Sequence, residues 1–178
     1  MNSINQQQIE ENIENLEGTA AIDKIKELVG KTSTCFFCSN IKTGIPFSTR
    51  PMSVQKVDDD GNLWFLSADD SNKDMELKTD PFVQLLFQGS PHSDFLNLYG
   101  IASVSKDKQK IEEMWEPIMK TWFTGGKDDP RISVIRVEPS EAYYWDNKHG
   151  NAVAFLKMMV GAAIGKTLDD SIEGKLEV

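Results

Sequence analysis

At 178 residues the chain fits one domain of ordinary size, long enough to bury roughly 70% of the surface its unfolded form exposes. Hydrophobic residues at 39% and charged residues at 26% exclude wholesale disorder, no apolar run reaches the ~18 residues of a membrane span, and the N-terminus MNSINQQQIEE has neither a basic region nor an apolar stretch, so a cytoplasmic protein is expected. The net charge of -9 is concentrated at the ends, with Glu10, Glu11, Glu14 and Glu17 unopposed; without a Lys/Arg cluster, nucleic acid and anionic membranes are excluded as partners.

In chain order, Ile9, Ile13 and Leu16 form a helical stripe ended by Gly18, predicting an acidic N-terminal helix over 1–18. Thr19 then caps a second helix carrying Ile22, Ile25, Leu28 and Val29 up to Gly30. Strands are predicted over 34–39, 46–57, 63–67, 82–88 and 94–105, with Asp60-Gly61 as a hairpin turn. A short helix over 72–79 opens on a Ser71/Asp74 capping box and cannot continue past Pro81. A helical stretch over 107–123 presents Ile111, Met114, Trp115, Ile118 and Trp122 on one face, with a kink or split at Pro117, and residues 132–146 supply a last long strand. Short connections and a helix inserted between strands predict a mainly β (α+β) fold, a Greek-key barrel of antiparallel strands with peripheral helices.

The chemical inventory is short. His92 and His149 stand apart from other ligand-type residues, which argues against a zinc or haem-iron site, and neither a nucleophile elbow, a P-loop nor a Rossmann glycine motif is present. Cys35 and Cys38 form a C-x-x-C inside a β-propensity run, where the two thiols point to opposite faces, so they read as strand thiols rather than a redox pair. The informative stretch is 46–77. Arg50 sits in a strand beside Pro51, which cannot donate to a ladder and marks an edge. Ser71, Asn72 and Lys73 occupy a helix N-terminus, where free N–H groups, a hydroxyl and an ammonium suit a phosphate. The Asp60-Gly61 hairpin is expected to fold the Arg50 strand beside the Leu63 strand, so that Arg50 and Lys73 reach one anion.

The order Arg50-Pro51-Met52, Asp60-Gly61, Trp64-Phe65-Leu66-Ser67, Ser71-x-Lys73, Tyr99-Gly100, Trp122-Phe123 and Tyr144-Trp145 resembles the pyridoxamine 5'-phosphate oxidase-like proteins, within them the general stress protein branch. The resemblance implies a six-stranded split β-barrel over 19–148, followed by a C-terminal helical extension and tail over 149–178, and a homodimer with composite sites for FMN, or FAD in some members. Carried over by position, Arg50, Ser71, Asn72 and Lys73 would hold the flavin phosphate. Backbone of Pro51, Met52, Phe65, Leu66 and Ser67 would face the ring edge, and Trp122 or Trp145 of the second subunit would line the ring. The function implied is flavin binding, with a flavin-dependent oxidoreductase as one reading and a flavin-sequestering or tetrapyrrole-binding stress protein as the alternative. The Arg-x-His pair with which the vitamin B6 oxidases hold their substrate's phosphate has no counterpart after Trp145, which argues against oxidation of pyridoxamine 5'-phosphate.

Overall fold

The computed structural model describes residues 12–165, 168 and 170–178. In chain order the elements are β1 (Leu16–Glu17), α1 (Thr19–Lys31), β2 (Thr34–Ser39), β3 (Ser48–Ser53), β4 (Lys56–Val57), β5 (Leu63–Ala68), α2 (Asn72–Thr79), β6 (Phe82–Gln88), β7 (Phe95–Ser105), α3 (Lys108–Met114), β8 (Ile132–Asn147), α4 (Asn151–Ile164) and β9 (Ser171–Glu177). The fold is mainly β with helices at its periphery. Helix α2 begins where the pattern places it: the Ser71 hydroxyl accepts the Asp74 backbone N–H at 3.3 Å.

All ladders are antiparallel except β1 with β9. From β3 the order runs β3-β2-β6-β7-β8, and the long β8 divides its pairing: Ile132–Val137 faces β5, whereas Ala142–Asn147 faces β9. The hairpin between β4 and β5 turns on Asp58, whose carboxylate accepts from the Asp60 and Asn62 backbone and from Trp64 Nε1, with Gly61 at φ +81°. This hairpin does not carry Arg50 along. β4 pairs β5 only at Lys56–Trp64 and Val57–Leu63, and β3 ladders with β2, Arg50 opposite Phe37. Gln55 donates its backbone N–H to Trp64 at 2.8 Å, and beyond that point β3 and β5 part. Among the described residues, Ser48–Ser53 and Phe65–Ala68 each leave one edge without a ladder.

Two cores result. The larger lies within the sheet, where Phe37, Leu63, Phe65, Leu85, Leu98, Ile135 and Val137 are fully buried together with Ile25 and Leu28 of α1. Phe37 and Phe65 meet edge to face at 5.5 Å. Outside it, α1 is tied down by Lys31, which reaches Glu27 (2.9 Å), Asp94 (2.6 Å) and Asp146 (3.3 Å). The smaller core packs Ile111, Met114, Met119 and Phe123 on Ile132, Val134, Trp64 and Leu66. The helix predicted over 107–123 is split as Pro117 requires, into α3 and a 3-10 turn over Pro117–Thr121. The break rotates the second piece, so Met119 and Phe123 are buried while the expected Ile118 and Trp122 face out, Trp122 at 65% exposure.

Both ends depart from expectation. Ile9 lies outside the described residues, but residues 12–17 are extended rather than helical: Ile13 bridges Glu173, and β1 runs parallel to β9. Gly18, not Thr19, occupies the cap position of α1 and makes no side-chain cap. The tail after α4 is a strand. Ile172, Gly174 and Leu176 face inward along β9, and a Cβ at Gly174 would collide with the Glu14 carbonyl oxygen, so only glycine lets the two segments approach.

Candidate phosphate and flavin cleft

Arg50 is the third residue of β3 and shares a face with Ser48, which pairs with Ser39 at the end of β2. These side chains point beneath α2, where Glu76 meets all of them. Its carboxylate accepts from Arg50 Nη2 at 2.8 Å, from Ser48 Oγ at 3.0 Å and from Ser39 Oγ at 2.5 Å, while Arg50 Nη1 donates to Ser39 Oγ at 3.2 Å. Burial pushes the Glu76 carboxyl up, but the hydrogen bonds from Ser39, Arg50 and Ser48 outweigh it and hold the group below its ordinary value, so it is ionised at neutral pH.

One helical turn earlier, Lys73 is 8% exposed. Its ammonium donates to Ser67 Oγ and lies 3.8 Å from Asp74 Oδ1. Burial pushes the Lys73 pKa below its ordinary value; Asp74 and Glu76 act against that, and Arg50 adds to it. Asp74 is buried beneath the cap, accepting from Ser67 Oγ (2.7 Å), Ser71 Oγ (3.2 Å) and Ser133 Oγ (2.6 Å). Thus the reciprocal arm of the expected capping box goes to hydroxyls instead of the cap backbone.

The predicted residues divide accordingly. Arg50, Ser67, Ser71 and Lys73 converge at one end of the gap between β3 and β5, with α2 as the connecting element in place of the expected β3–β5 pairing. The Asn72 side chain is exposed on the first turn of α2. Pro51 and Met52 on β3, and Phe65 and Leu66 on β5, present backbone along the two free edges; the Phe65 side chain itself belongs to the core. Trp122 and Trp145 stand elsewhere on the chain. Trp145, 42% exposed and 4.7 Å from the Tyr143 ring, lines a groove of about 440 Å³ with Phe36, Pro51, Leu86 and Phe95 on the outer face of β2, β6 and β7. Unanticipated are Glu76, Ser39, Ser48 and Ser133, whose roles depend on partners 26 or more residues distant in all but the paired strands. The two cysteines are both buried in β2, and burial pushes the Cys35 thiol up to about 12, as expected of a strand thiol without redox activation.

Known proteins share this fold. A curated relative, protein bli-3 of Neurospora crassa, is 32% identical over 112 residues, 58% of this chain, and the chain matches 53% of that relative's length. A structure described as general stress protein 26 from Jannaschia sp. CCS1 superposes with a TM-score of 0.74 at 20% identity, covering 88% of this chain and 97% of its own. The general stress FMN/FAD binding protein of Xanthomonas citri superposes with a TM-score of 0.56 at 24% identity, covering 67% and 84%. Among the described residues no helix is long and apolar enough to cross a membrane. Residues 20–169 match the family model for pyridoxamine 5'-phosphate oxidase-like proteins, and the chain belongs to that family.

Proposed function

We propose that this protein binds FMN in the gap between the free edges of β3 and β5, with the phosphate held by Arg50, Lys73 and Ser71 and the ring edge along the backbone of Met52 and Phe65–Ser67. The reading rests on one observation above all: the cations Arg50 and Lys73 and the hydroxyls of Ser48, Ser67 and Ser71, from β3, β5 and the start of α2, gather where two sheet edges lie open. The donor set fits a phosphate. A guanidinium supplies paired N–H donors, and a desolvated ammonium whose protonated form burial disfavours gains from a dianion. The flavin name of the Xanthomonas citri relative points the same way. When bound, the flavin supplies hydride or electron transfer at its own ring, and the chain's residues bind it and exclude water from its edge. An oxidoreductase is therefore the activity class proposed.

The ladders β4-β5-β8-β7-β6-β2-β3 return to the same stretch of chain, since β3 and β4 are separated only by Val54 and Gln55; with β3 and β4 counted as one interrupted strand, this circuit is the proposed six-stranded split barrel. The proposed assembly is a homodimer; what supports it is the outer face, where Phe36, Leu86, Tyr99, Ile101 and Trp145 stand exposed, a patch of the kind that a second copy covers. In such a dimer a partner's tryptophan closes the flavin site. The test is the absorption spectrum of purified protein with added FMN, together with light scattering. A bound flavin at one equivalent per subunit on a dimer is expected; absence of any FMN binding by fluorescence titration overturns the proposal.

A further inference from the structure

Glu76 already holds Arg50 in the manner expected of a phosphate. Its two oxygens take three donors from β2 and β3, the Ser39 and Ser48 hydroxyls and the Arg50 guanidinium, from a position five residues into α2. Both partners are mostly buried, at 26% and 18% side-chain exposure, so solvent screens the pairing less than it would a fully exposed ion pair. With Lys73 beside Asp74, the cluster counts two cations and two carboxylates and is neutral before any ligand arrives. A dianion entering it meets no net positive charge, and Arg50 cannot turn both of its terminal nitrogens to a phosphate while Nη2 serves Glu76.

We infer that Glu76 is an internal competitor for the phosphate subsite: its carboxylate stands in for the ligand's phosphate on Arg50, Ser39 and Ser48, and swings off Arg50 when a phosphorylated ligand binds. This deepens the flavin reading and rests on it for the identity of the ligand, but not for the competition itself. Two consequences are specific. The preference for FMN over its phosphate-free analogue riboflavin rests on Lys73 and Ser71 and gains little from Arg50, whose phosphate contact is made only by giving up an existing ion pair. Removing the charge of Glu76 while keeping its shape makes that preference stronger.

The experiment compares wild type, Glu76→Gln and the double variant Arg50→Ala/Glu76→Gln, each first shown to be folded by circular dichroism. FMN, riboflavin and inorganic phosphate are titrated separately by fluorescence or thermal denaturation, with chloride at matched ionic strength. Glu76→Gln is expected to bind FMN about tenfold more tightly and riboflavin within about twofold of wild type, the loss of one competing charge-assisted contact. Inorganic phosphate should protect Glu76→Gln at about tenfold lower concentration than wild type, and the gain should vanish in the double variant. An FMN affinity that is unchanged or weaker in Glu76→Gln, with flavin binding otherwise intact, overturns the inference and makes Glu76 a residue that orients Arg50. If no variant binds flavin, the flavin reading falls, and the phosphate arm then decides on Glu76 alone: increased protection upholds the competition, equal protection refutes it. Should Glu76→Gln be unfolded, Glu76→Ala is put through the same titrations.

Discussion

Replacing Lys73 by methionine separates ligand binding from stability. The ammonium is 8% exposed and sits between Ser67 and Asp74. Its native pKa lies below the ordinary 10.5, chiefly through burial. The unfolded chain therefore binds more protons between the lowered native value and 10.5, so stability rises with pH across that window and the charged lysine opposes folding below it. Methionine fills the same space without the desolvation cost, and Asp74 keeps three hydroxyl donors, from Ser67, Ser71 and Ser133. Stability of the ligand-free protein in urea is expected to change by less than about 1 kcal/mol at pH 7, or to rise, with a flatter dependence on alkaline pH. FMN binding responds differently. Loss of a charge-assisted contact of about 1.5–3 kcal/mol raises the Kd roughly ten- to a hundredfold. At an FMN concentration 100 times the wild-type Kd, ligand stabilisation is about 2.7 kcal/mol; the same concentration stabilises the variant by about 0.4–1.4 kcal/mol. Urea melts with and without FMN read both quantities. A loss of about 3 kcal/mol without ligand, with the FMN increment unchanged, would show that Lys73 is a structural counter-ion of Asp74 and no part of the ligand site.

Further outcomes concern the scaffold. Phe65→Ala, at a fully buried ring stacked edge to face on Phe37, should cost about 3–5 kcal/mol in urea unfolding. Asp170 is fully buried and accepts from Lys157 Nζ (2.7 Å), the His149 ring (2.7 Å) and the His149 backbone N–H (2.9 Å), tying α4 to the start of β9. Burial pushes its carboxyl up, but these bonds outweigh it and hold the pKa below 3.8, so the clasp is at full strength above that value and is lost as the pH falls through the lowered native one. Hydrogen exchange of β9 should quicken in that acid range, and in Asp170→Asn the acid step should be absent. Gly174→Ala drives a methyl group into the Glu14 carbonyl and should free residues 12–17 to proteolysis while leaving β2–β8 protected.

The interior strands and α2 were legible because their signals are local. Alternation along Phe82–Gln88, the turn chemistry of Asp60-Gly61 and the Ser71 cap each act within a few residues, where side-chain period and backbone preference decide the outcome. The same holds for Arg50, Ser71 and Lys73 as candidates, since residue type and position at an edge or a helix start suffice to nominate them. The β9 signal was present too, in the alternation of Ile172, Gly174 and Leu176, but it is short and polar, and its status as a strand depends on β8 and the 12–17 segment offering edges. Where Met119 and Phe123 replace Ile118 and Trp122 in the core, the cause is the rotation after Pro117, an angle set by packing on Ile132 and Val134. Partner choice lay beyond the sequence altogether. Arg50 could have faced β5 or β2, and only the ladder with β2 aims it at Ser39 and Glu76; the pairing of a β3 cation with an α2 carboxylate is a long-range contact, decided by how the whole sheet closes and not by either residue's neighbours.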